Sequence, residues 1–89
     1  MRTVYKQKLK IDDVQTIDIH EGAKILHIGK QFGSVCIWYE CDDEKPMTKR
    51  TIYCFGTGHK MPVDVKLQYI GTIILSDGEL VFHFFEKEN

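Results

Sequence analysis

The stretch LQYIGTIILSDGELVFHFFE, residues 67–86, decides the fold. Two short runs rich in β-branched and aromatic residues flank Ser-Asp-Gly-Glu, and neither run has helical spacing. Ser-Asp-Gly tolerates positive φ, so the stretch reads as two antiparallel strands and their turn. In the second run Leu80, Phe82 and Phe84 share one parity, and Val81, His83 and Phe85 the other. A strand with one solvated face alternates cleanly. Two apolar faces imply two coverings, from a second sheet, a loop or a partner subunit.

The same pattern extends upstream. TVYKQKLKI places Tyr5, Leu9 and Ile11 on one face, and VQTIDIH places Ile17 and Ile19 together. Glu-Gly at 21–22 turns the chain into AKILHIG, and QFGS turns that into SVCIWYEC, again apolar on both parities. The polar stretch DDEKPMT reads as an exposed loop before KRTIYCFG. Pro62 and Asp64 suit the start of one short helical turn over 62–67. Roughly six or seven strands at about ten-residue spacing predict an all-β protein, a small antiparallel barrel, roll or sandwich with at most one short helical turn. Residues 1–89 form a single domain on this reading.

Twelve Lys and Arg stand against thirteen Asp and Glu, a net charge of −1. That balance argues against binding nucleic acid by bulk positive charge, though it leaves room for a local basic pocket. Three cysteines, Cys36, Cys41 and Cys54, are an odd number without the spacing of a disulfide scaffold, so a reducing compartment is expected. No run reaches the ~20 apolar residues of a membrane span, and the first ten residues lack a signal-peptide core. The expectation is a soluble cytoplasmic protein. Its small size and two-sided strands favour a symmetric homodimer or higher homo-oligomer.

One loop stands out for chemistry. In CFGTGHKMP, residues 54–62, two glycines bracket a threonine, and a histidine and a lysine follow. Successive N–H groups in a Gly-containing turn can cradle an anion. Thr57 and His59 add donors, Lys60 adds charge, and Arg50 on the preceding strand offers a fork for phosphate. The candidate ligand-binding set is therefore Gly56, Thr57, Gly58, His59, Lys60 and Arg50. The competing reading is a hairpin loop in which Gly56 and Gly58 shape the backbone and Thr57 and His59 brace it.

Other constellations are weaker. Cys36 and Cys41 fall on opposite strand faces and cannot share one zinc without a bulge. Ser34 and Ser76 fall in turns, and the paired carboxylates Asp12–Asp13 and Asp42–Asp43 in polar loops. His27 and His83 lie mid-strand, as core or interface histidines. No catalytic, metal or cofactor set is expected. The aromatic rings along the strands read chiefly as core, with a stacking platform for a base as the alternative.

EGAKILHIG, CIWYE, FGTGH, YIGTI and VFHFFE, in that order, resemble a family of short uncharacterised proteins found mostly in phage and prophage genomes. The resemblance covers residues 3 to 86. Its most specific parts are Gly56–His59 with Pro62, then Tyr69–Thr72, with His83 and Glu86 at the other end; Lys60 occupies a position where other residues are admitted. It implies a phage-type accessory protein for counter-defence or host takeover, working in the host bacterial cytoplasm. Together these readings favour non-catalytic binding of an anionic, nucleotide-like small molecule at Gly56–His59. The alternative is a protein-interaction module that inhibits or redirects a host protein through its apolar β surface.

Overall fold

The turn at the centre of residues 67–86 has the backbone that its residues permit. Ser76, Asp77 and Gly78 all take positive φ, 52°, 54° and 95°, in one 3-10 turn, Ser76–Gly78. The computed structural model describes residues 1–88 and contains seven strands. They are β1 (Arg2–Leu9), β2 (Val14–His20), β3 (Lys24–Gln31), β4 (Ser34–Asp42), β5 (Met47–Gly56), β6 (Leu67–Leu75) and β7 (Leu80–Lys87). All pairings are antiparallel. Sheet A has the order β1-β4-β3 and sheet B the order β2-β5-β7-β6; they do not close into a barrel.

Two local readings are corrected. Residues 62–67 hold no helical turn, and the 3-10 turn lies at 76–78 instead. Pro62 and Asp64 can open a helix, but Val63 is almost fully exposed, and Leu67 already begins β6. Ile11 does not join Leu9 in the core: β1 ends at Leu9, and Ile11 is exposed. Glu-Gly at 21–22 does turn the chain, but it carries it from sheet B to sheet A and makes no hairpin. The Glu21 N–H donates to the Pro46 carbonyl, 2.8 Å, tying this crossover to the β4–β5 connection.

Strand parity sets the core. Leu9, Ile17, Ile19, Ile28, Val35, Ile37, Tyr39, Ile52, Cys54, Ile73 and Phe84 pack between the sheets. Phe84, Ile19, Ile37 and Ile52 are fully buried; each such side chain contributes about 1.5–3 kcal/mol. The three cysteines are buried free thiols. Cys41 and Cys54 join the core cluster, whereas Cys36 has the opposite parity on β4. The Cα envelope measures 40 × 34 × 16 Å, and its thin dimension fits two layers. No helix of the described residues is long and apolar enough to cross a membrane.

The sheets meet where β3 touches β6. Each of these edge strands carries a bulge there, between Ile25 and His27 and between Tyr69 and Gly71. Gly71 makes the approach feasible, because a Cβ on it would lie 2.3 Å from the Ile28 Cγ2. Gly71→Ala is expected to destabilise the protein by about 1–3 kcal/mol, the ordinary range for overpacking, measured by urea denaturation.

Burial, with Asp13 and Asp12 adding to it, pushes the Cys54 thiol up from 9.0 to about 11. The folded state then keeps a proton that the unfolded chain loses first. The associated stability is complete below the unfolded value and is lost as pH rises toward the folded one. The urea midpoint should fall between pH 9 and about 11, and Cys54→Ala should flatten that part of the profile.

Candidate functional site

Gly56–His59 forms a tight turn at the end of β5. The His59 N–H donates to the Gly56 carbonyl, 3.1 Å, and Gly58 at the third position has φ +83°. A type II turn needs that sign of φ at that position. A Cβ on Gly56 would lie 2.8 Å from the His59 ring. The two glycines therefore shape the backbone and seat the imidazole, as their spacing suggests.

Thr57 has a partner that its sequence position conceals. Its Oγ1 lies 2.8 Å from His83 Nε2, on β7. His83 Nδ1 lies 2.9 Å from Thr72 Oγ1, and Thr72 Oγ1 lies 2.6 Å from the Tyr69 hydroxyl. Thr57, His83, Thr72 and Tyr69 thus form one hydrogen-bonded chain. Neutral imidazole takes part with one nitrogen donating and the other accepting. Imidazolium takes part with both N–H groups donating to the threonine oxygens.

This chain lies on the outer face of sheet B, where register aligns the apolar side chains. One row crosses all four strands as Val14, Tyr53, Phe85 and Tyr69; the next runs Phe55, His83, Thr72. Tyr53 stacks on Phe55 with centroids 6.1 Å apart, and Phe85 meets Phe55 and Tyr69 edge-on at 5.8 and 5.4 Å. Val14 and Tyr69 are about half exposed, and Phe55 and Phe85 are half-buried. Neither row contains Asp, Glu, Lys or Arg; the Asp18–Lys49 ion pair, 3.1 Å, lies nearer the other end of β5.

His59 and Lys60 are exposed at the edge of this face. With Val14, Tyr53, Phe55 and Asp13 they line a hollow of about 250 Å³. A second hollow of about 240 Å³ lies between His59, Thr57 and Phe82. Arg50 is not brought to the loop. Six residue steps along β5 separate it from Gly56, about 20 Å at the usual rise. Arg50 has the inward parity of Ile52 and Cys54, so its charge needs a partner. Its guanidinium binds both Glu86 carboxylate oxygens, and Nη1 donates to the Ala23 carbonyl, 2.8 Å. The hydrogen bonds to Glu86 hold it more firmly protonated still.

One arrangement was invisible in the sequence because its members lie 21 positions apart. The Cys41 Sγ sits 3.5 Å from His20 Nδ1, which also lies 3.5 Å from the Tyr39 hydroxyl, and Tyr5 stacks on the imidazole. The pairing has nucleophile–base geometry. Burial, then Asp43 and Asp42, push the Cys41 thiol upward, the wrong direction for a thiolate nucleophile. Among the described residues no three His, Cys, Asp or Glu side chains are grouped to hold a metal ion.

The bonds separate bracing from binding within the loop. Thr57→Val should lower stability by about 0.5–1.5 kcal/mol, the usual net worth of one hydrogen bond. His59→Ala should leave the denaturation midpoint within the scatter of neutral surface changes, about 0.5 kcal/mol. Equal losses from both variants would contradict this division.

No curated protein and no solved structure matches the chain. The chain belongs to the family described as a domain of unknown function (DUF7352), whose model matches residues 1–89.

Proposed function

We propose that this protein acts by binding another polypeptide without catalysis, and that the outer face of sheet B is the contact surface. The carrying observation is the uncovered aromatic cluster Tyr53, Phe55, Phe85 and Tyr69, in rows without Asp, Glu, Lys or Arg. Tyrosine and phenylalanine enrichment with charge depletion is the composition of an interface core. A matching partner offers an apolar, uncharged surface, because a charge buried against these rings would go unpaired. In the phage-type accessory role suggested by the sequence resemblance, the partner is a host protein that is inhibited or redirected.

A second reading retains the loop as a site for an anionic, nucleotide-like molecule. It is supported by Lys60 and His59 facing Tyr53 and Phe55 across one hollow, a cation beside rings that can stack. That hollow, about 250 Å³, is smaller than the ~300–1,000 Å³ of ordinary ligand pockets, and Asp13 lies on its rim. A nucleotide panel at millimolar concentration tests it by thermal shift. A rise in melting temperature that disappears in Lys60→Ala would favour the loop over the face.

For the first reading, Phe55→Ser and Tyr69→Ser would be compared with the native protein. Each variant should keep its β-type circular dichroism and lose a stoichiometric protein partner captured from bacterial lysate. A native dimer that the variants convert to monomer would assign the face to a second copy of this chain and overturn the host-protein role. Identical capture by native and variant proteins would overturn the face itself.

A further inference from the structure

The outer face of sheet A differs in kind from that of sheet B. Arg2, Val4, Lys6 and Lys8 project from β1 on one parity, and Cys36, Trp38, Glu40 and Asp42 share their side on β4. Lys24, His27, Gly29 and Gln31 continue that side on β3. The carboxylates are confined to one end, where Glu40 pairs with Arg2, and Asp42 accepts from the Met1 amine and the Glu44 N–H. The half that carries Lys6, Lys8, Trp38 and His27 has no carboxylate on this side of the three strands. A chain with net charge −1 therefore gathers cations on one face.

An indole sits among those cations. Trp38 occupies the central strand, directly opposite Lys6 on one neighbour and His27 on the other. Its ring lies 6.0 Å from the His27 ring, tilted by 34°. Beside them Gly29 keeps the surface low, because a Cβ there would lie 3.2 Å from His27 Nε2 and 3.7 Å from Trp38 Cζ3. A glycine inside a strand often marks close approach by a ligand or another backbone. Lys6 reaches across β4 to Gln31, 2.7 Å, which holds its ammonium over this side of the sheet.

Lysines on an edge strand also discourage sheet-to-sheet aggregation, and β1 is an edge. That accounts for Lys6 and Lys8 taken alone. It does not account for a partly exposed Trp38 and an exposed His27 on the strands beyond them. Alternating cations beside flat rings are the arrangement that binds single-stranded nucleic acid, in which phosphates meet ammonium groups and bases stack.

From this juxtaposition we infer that the outer face of sheet A binds a short run of single-stranded nucleic acid. Lys6 and Lys8 contact successive phosphates, and a base lies on Trp38 and His27. The contact is local, so it is compatible with a chain of nearly balanced charge. It leaves the outer face of sheet B free.

Trp38 is the chain's single tryptophan, so its fluorescence reports on this face alone. The native protein would be titrated at low salt with an oligothymidylate of about twelve nucleotides, within the usual single-strand site range. Quenching is expected, with log affinity falling against log salt at a slope of about −1.5 to −2, as for two or three phosphates. Lys6→Gln/Lys8→Gln should reduce that slope by about 1.4. Trp38→Ala, followed by anisotropy of a labelled oligonucleotide, should weaken binding about tenfold or more. Because Trp38 is partly buried and its loss could unfold the chain, the lysine double variant carries the test independently. Absence of quenching at low salt would overturn the inference. So would undiminished binding by the lysine variant, or equal quenching by inorganic polyphosphate, which has charge and no bases.

Discussion

Seven strands without a helix can hide only one face of each sheet. Sheets A and B press their inner faces together around Phe84, Ile19, Ile37 and Ile52. The two outer faces lie outside this core, and their composition becomes the informative part of the molecule. Aromatic rings at ordinary strand spacing could have served a second core layer. Here Tyr53, Phe55, Phe85 and Tyr69 lie on the uncovered side of sheet B. Exposed apolar surface of this kind is a common mark of an interaction site.

The hydrogen-bonded chain from Thr57 to Tyr69 sets how that surface is held. It joins the turn after β5 to β7 and β6, so three segments share one network through the His83 imidazole. Its polar atoms satisfy one another beside the aromatic rows, which lowers the cost of covering them with an apolar partner. The Arg50–Glu86 pair serves the inner side similarly. It places a mutually neutralised fork where the core opens, and it holds the Ala23 crossover to sheet B.

Much of the fold was legible because strands write their two faces into the sequence with period two. Ile17 with Ile19, and Val35 with Ile37 and Tyr39, read correctly on parity alone. The turn chemistry of Ser76–Gly78 was equally plain. Strand order was not legible, because a short turn such as Glu21–Gly22 serves a hairpin and a crossover alike. The candidate site was legible in part. Gly56 and Gly58 have local roles that spacing reveals, whereas the partners of Thr57, Arg50 and Cys41 lie 26, 36 and 21 positions away. Strand register brings those groups together, and no local pattern encodes it.

The pairing of β1 with β4 and of β2 with β5 has a consequence for how the chain is made. Arg2 lies opposite Asp42, and Val14 opposite Tyr53, so neither N-terminal strand has its neighbour until much of the chain has left the ribosome. Local hairpins such as β3–β4 can form as soon as they emerge, while β1 and β2 wait as unpaired edges. The lysines of β1 would keep that waiting strand from joining the same strand of another nascent chain. During synthesis they would act as solubilising groups before the sheet that displays them exists.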